Sequence, residues 1–296
     1  MRRPLVGYLF AVAGAAFYAV GGVIAKRAFA LGIPASTLAE WRALFAFAVF
    51  LVFVLALRRD TLAIRRADLP VIAVFGLFGI LGVQVFYYEA IQRLPLGVAL
   101  VLQYTAPLIV LGYWAVRGRR IGGRLWLAAV LTIGGCYFVV GAYDASLREL
   151  NAVGALIAIL DAIVFAVYLL LAERLTSRYA SATLLTWGFG TAALAWSVIR
   201  PLWTLPWELV TLEVAVLIAG VVIVATVIPY LFTVAALRSI PATRVGLTAT
   251  SEPLIGALAA WLLIGEALQA PQVAGGIVMV GGILMAQSVR LTPEGV

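Results

Sequence analysis

The chain alternates long apolar runs with short segments that gather its arginines. A helix needs roughly 20 apolar residues to cross the ~30 Å hydrocarbon core of a bilayer. Runs of that order recur near 5–25, 37–57, 69–91, 95–116, 124–143, 152–172, 182–200, 211–236, 241–264 and 271–289. The connections are short, and none reads as a soluble domain or a low-complexity tail. The pattern predicts an all-α polytopic membrane protein of ten transmembrane helices. Arg2-Arg3 ahead of the first run resembles the start of a secretion signal, but Leu5 to Ala25 is long enough to span, so this run is read as a retained first helix.

Two parts of the pattern repeat. Ala90, Pro95, Pro107, Leu108 and Ile109 return 146 positions later as Ala236, Pro241, Pro253, Leu254 and Ile255. A second echo, offset by 147, pairs Gly7, Ala11, Ala15, Ala19, Val20, Ala25 and Arg27 with Gly154, Ala158, Ala162, Ala166, Val167, Ala172 and Arg174. The first carries more weight, because small residues in apolar helices match readily by chance. The chain thus divides into repeats 1–147 and 148–296 with five spans each. An odd number makes the second repeat enter the membrane from the opposite side, and such inverted-topology repeats mark secondary transporters.

The loop charges give an independent orientation. Fifteen arginines fall on the side of the N-terminus, among them Arg58, Arg65, Arg117, Arg120, Arg178, Arg238 and Arg290, whereas the other side holds Lys26, Arg27, Arg93, Arg148 and Arg200. The positive-inside rule then puts both termini in the cytoplasm. Composition agrees with a multi-pass protein of the inner (cytoplasmic) membrane: 65% of residues are hydrophobic, 11% are charged and the mean hydropathy is +1.11. The net charge of +8 is accounted for by these loops, and no nucleic-acid partner is expected.

Several chemistries drop out. Cys136 is the single cysteine and there is no histidine, which excludes an intramolecular disulfide, a Cys/His metal site and a Ser-His-Asp or Cys-His device. No metal, no cofactor and no enzymatic activity are expected. Glycines at 76, 79, 82, 134–135, 275–276 and 281–282 suit close helix packing within a monomer, which is the expected state, or a dimer face.

Ionisable groups within spans are costly, so each is a functional candidate. Glu252 lies in the middle of the ninth span and precedes Pro253, which removes the hydrogen bond to the Ala249 carbonyl and disfavours helix at Glu252. Pro107 does the same to the Gln103 carbonyl in the fourth span. Either both prolines are kinks beside a packing carboxyl, or two helices are opened near mid-membrane for a ligand. Asp161, with Tyr168 seven residues on, is a cavity or proton-pathway candidate or a helix–helix hydrogen bond. Gln84, Tyr87 and Tyr88 share one helix face; Gln103 and Tyr104 precede Pro107, Thr248 and Ser251 precede Glu252, and Tyr230 follows Pro229. These side chains line a cavity, or else the tyrosines anchor at interfaces and the hydroxyls bond their own helices. Glu40 and Arg42 open the second span and are read as structural, by snorkelling or pairing. With no basic group at mid-depth, phosphate ligands are disfavoured. A small zwitterion fits better, with Glu252 facing its ammonium group.

Trp41-Arg42, Tyr88…Ala90…Pro95, Pro107-Leu108, Glu252-Pro253-Leu254 and Glu266 before a Gly-rich last span together resemble the EamA-type branch of the drug/metabolite transporter superfamily. The resemblance covers essentially the whole chain, and within the branch it is nearest the bacterial YddG-type exporters of amino acids. It implies a carrier that exports small neutral metabolites, amino acids foremost and aromatic ones among them, by alternating access through a central cavity between the repeats. Protons are the candidate coupling ion. The alternatives are an exporter of drug-like or vitamin-like aromatic metabolites and a channel-like facilitator.

Overall fold

The computed structural model describes residues 4–57, 59–144, 151–204, 206–264 and 269–289, and every regular element among them is helical. Helices α1 (Pro4–Ala30) and α2 (Ala35–Leu57) are unbroken. Helix α3 runs from Leu69–Val74 through a π-helical stretch, Phe75–Gly82, into Val83–Arg93. Helix α4 is in two pieces, Leu96–Gln103 and Ala106–Val116, and α5 is Gly123–Val139.

The same succession of shapes follows. Helices α6 (Ala152–Thr176) and α7 (Ser181–Ile199) are unbroken. Helix α8 passes from Leu212–Val222 through a π-helical stretch, Ile223–Val227, into Ile228–Leu237. Helix α9 is split into Ala242–Ala249 and Glu252–Ile264, and α10 is Ala270–Ser288. Among the described residues eight stretches are long and apolar enough to cross a membrane; α5, at 17 residues, is shorter and α9 is divided.

Local chemistry sets these boundaries. The chain leaves helical geometry at Tyr104–Thr105 and Thr250–Ser251, immediately before the prolines that deprive Gln103 and Ala249 of a backbone donor. Helix α6 starts where the Asn151 side chain accepts from the Gly154 amide at 3.0 Å, and α10 starts with a reciprocal capping box between Gln269 and Gln272. Gly118 and Gly141, at φ +80° and +70°, turn the chain out of α4 and α5 as left-handed caps.

The two halves interlock. Helix α1 packs against α8 and α6 packs against α3, so the first helix of each half lies on the third helix of the other. Both contacts include π-helical residues in close approach: a Cβ on Gly21 of α1 would lie 2.3 Å from the Ala225 Cβ, and one on Gly79 would lie 3.2 Å from the Tyr168 Cα of α6. Helices α5 and α10 run antiparallel with their backbones in contact. A Cβ on Gly135 would meet Met279 N at 2.5 Å and Gly275 O at 2.6 Å, and one on Gly282 would meet Thr132 N at 2.7 Å and Ala128 O at 2.8 Å. Gly76, Gly79 and Gly82 are likewise packed inside the molecule, whereas Gly134 and Gly281 face open space.

Polar ties close the helix ends. On one side Asp68 accepts from Arg178 Nη1 and from the Tyr179 hydroxyl, each at 2.6 Å, and Arg238 Nη1 donates to the Tyr179 carbonyl at 3.0 Å. On the other, Lys26 Nζ donates to the Ile91 carbonyl at 2.6 Å and caps the end of α3, while Arg200 lies 3.4 Å from buried Glu40. Glu266, Arg148 and the terminal arginines named in the sequence lie outside the described residues.

Candidate functional site

The breaks in α4 and α9 meet at the centre of the bundle. Pro107 at the start of the second piece of α4 packs on Gly246 in the first piece of α9, where a Cβ would come within 3.0 Å of the proline ring. At the same level Tyr104, next to one break, donates its hydroxyl to Glu252 Oε2, next to the other, at 2.5 Å. A narrow cavity of about 50 Å³ opens beside this bond.

Of the sequence candidates, Tyr87, Tyr88, Gln103, Tyr104, Tyr168, Tyr230 and Glu252 line this cavity. Gln84, Thr248 and Asp161 are buried just off its wall, and Ser251 is half-buried. Asp161 lies beside the Gln103 side chain, with one carboxylate oxygen unpartnered among the described residues. The Gln84 amide and the Ser251 hydroxyl are also without protein partners there. Trp41 and Trp196 are buried away from the cavity, and Trp187 and Trp203 are exposed.

The walls are aromatic. Tyr168 stacks on Phe165 with centroids 6.0 Å apart and meets Tyr230 edge-on at 5.5 Å; Tyr18 meets Tyr230 at 5.9 Å and Tyr104 meets Phe165 at 6.5 Å. Such rings shape a slot and present π faces to a ligand.

Sequence reasoning missed part of the lining. Tyr18 and Phe165 are equivalent positions at the offset of 147 and face the same space from α1 and α6, so the second echo carried the signal. Arg42 is the larger correction. The sequence predicts a snorkelling or paired structural group at this position and no basic residue at mid-depth. The structure buries Arg42 in the cavity wall, 5% exposed. Its Nε donates to Thr226 Oγ1 at 2.6 Å, Nη1 to the Tyr88 hydroxyl at 3.0 Å and Nη2 to the Ala225 carbonyl at 3.0 Å. The guanidinium also lies 5.2 Å from the Tyr88 ring centre and 5.6 Å from that of Tyr230. It reaches this depth because the π-helical stretch of α8 presents two acceptors to it. Pro229 cannot bond the carbonyl four residues back, that of Ala225, and the Thr226 hydroxyl is aimed by its own bond to the Val221 carbonyl at 2.6 Å.

Comparison with known proteins gives this architecture a family. The uncharacterised transporter YcbK of Bacillus subtilis is 25% identical over 282 residues, covering 93% of this chain and 90% of its own. The threonine/homoserine exporter RhtA of Escherichia coli K12 is 28% identical over 193 residues, 63% of this chain and 61% of the relative. A crystal structure superposes with a TM-score of 0.75 at 20% identity over 95% of both chains, a likeness of fold. The sequence profile of the EamA-like transporter family matches residues 5–141 and again 152–287. The chain therefore belongs to the EamA-like transporter family, and it is a multi-pass membrane transporter, not an enzyme.

Proposed function

We propose that this transporter exports small neutral amino acids across the cytoplasmic membrane by alternating access, with the aromatic cavity as its substrate site. The observation that carries the reading is Glu252: a carboxyl at the break of α9, bonded to Tyr104 at the break of α4, in the wall of an aromatic slot. A carboxylate there receives an ammonium group, and the surrounding rings receive an apolar or aromatic side chain. The threonine/homoserine exporter among the relatives supports the same substrate class, and so does the YddG-like resemblance of the motifs.

The membrane arrangement belongs to the same proposal. All ten helices cross the bilayer as two five-helix repeats, 1–147 and 148–296, of inverted topology with both termini cytoplasmic, in a monomer. The interlocked contacts of α1 with α8 and α6 with α3 support it, as does the antiparallel seam of α5 and α10. The cavity is then a fixed site between repeats that rock about it.

The test is transport by the purified protein in liposomes, with threonine, methionine and tryptophan on one side. Saturable uptake with counterflow of at least one is expected. Absence of uptake for every amino acid in a wider panel sinks the reading. Uptake confined to aromatic vitamin-like compounds transfers the cavity to that class, and non-saturating flux without counterflow makes the protein a channel.

A further inference from the structure

The cavity wall holds a guanidinium and a carboxyl group that are not paired with each other. Ion pairs among the described residues join Arg27 to Glu213, Arg93 to Glu89, Arg178 to Asp68 and Arg200 to Glu40; they include neither Arg42 nor Glu252. Both residues are almost fully buried and both line the same space. Glu252 is held by the Tyr104 hydroxyl, and Arg42 by two hydroxyls and a carbonyl. Asp161 lies within electrostatic reach of Arg42 but makes no ion pair with it and is not part of the cavity wall. A buried charge with neutral partners alone is costly, and a ligand that supplies the opposite charge recovers the cost.

We infer that Arg42 is the carboxylate receptor of this cavity and that Arg42 and Glu252 act as two poles selecting a zwitterion over singly charged molecules. This rests on the reading of the cavity as an amino-acid site and adds a pole that Glu252 alone does not supply. Three of the five guanidinium N–H groups are taken by Thr226, Tyr88 and Ala225, which leaves one hydrogen on each terminal nitrogen for an incoming carboxylate. An amine or amino ester meets Glu252 but is repelled by Arg42, and a carboxylic acid without an amine meets Arg42 but is repelled by Glu252. An amino acid satisfies both.

The experiment uses wild-type protein in liposomes and whichever of threonine, methionine and tryptophan it carries fastest. Competitors are the methyl ester of that amino acid, which keeps the ammonium and loses the carboxylate, and the matching α-hydroxy acid, which does the reverse. Each is expected to compete about tenfold to a hundredfold more weakly than the amino acid itself, the loss that follows from removing hydrogen bonds to a charged group. Arg42→Gln is expected to raise KM for the amino acid and abolish discrimination against the ester, while Glu252→Gln abolishes discrimination against the hydroxy acid. Arg42→Lys retains part of the preference. An ester that competes as well as the amino acid on the wild type overturns the assignment, and so does an Arg42→Gln variant, monodisperse after purification, with unchanged KM. If Arg42→Gln does not fold, the wild-type ester comparison decides. Failure of the wild type to carry any amino acid removes the underlying reading, a different result from carriage that ignores the ester.

Discussion

At the scale of single residues, the centre of the molecule depends on polar groups whose partners come from distant parts of the chain. Tyr104 and Glu252 are joined across two broken helices, and both are buried. Removing the hydroxyl leaves a carboxylate oxygen of Glu252 without its protein donor, so Tyr104→Phe is expected to cost about 1–3 kcal/mol, read as a lower melting temperature in detergent. Glu252 was legible in the sequence because a carboxyl before a proline inside an apolar run is conspicuous. Arg42 was not, because it stands only a few residues into its span, where a long side chain ordinarily reaches back to the interface. What holds it at depth is an acceptor pair set on α8 by Pro229 and Thr226, almost two hundred positions away, and no local pattern around Arg42 records it. Gln84 shows the reverse: its place on the face of Tyr87 and Tyr88 was readable, yet it is fully buried beside the cavity and not in its wall.

At the scale of helices, length and hydropathy located the elements, and proline located the breaks in α4 and α9. The π-helical stretches of α3 and α8 left no such mark, because an extra residue in a helical turn changes the hydrogen-bond register without changing composition. They matter for packing, since each presents a small residue, Gly79 or Ala225, to the first helix of the other half. The α5–α10 contact gives a sharp test. A methyl group on Gly135 would run into backbone atoms of α10, whereas the adjacent Gly134 has open space. Gly135→Ala is expected to yield little monodisperse protein, and Gly134→Ala to melt at or above the wild-type temperature, measured side by side by size exclusion and thermal unfolding.

At the scale of the whole molecule, the arginine asymmetry makes a prediction about sidedness that the buried, solitary Cys136 makes easy to test. With little background labelling, Arg120→Cys is expected to react with an impermeant thiol reagent only after the membrane is opened, and Trp203→Cys to react from outside in intact cells; both side chains are exposed. Labelling of both from one side removes the inverted arrangement. The seam between α5 and α10 reaches further. Gly135 touches Met279 and Gly275 in the same manner as Gly282 touches Thr132 and Ala128, and at the offset of 147 these are one contact made twice. A surface that meets itself in this way is what a two-fold homodimer requires. Covalent linkage of the halves is therefore dispensable for assembly: segments 1–147 and 148–296 produced as separate polypeptides in one cell are expected to co-purify, and mutual indifference of the two would show that the join, and not the seam, holds them together. Association of the separate halves would make the fused chain the counterpart of a two-fold dimer of five-helix units, with Arg42 contributed by one unit and Glu252 by the other.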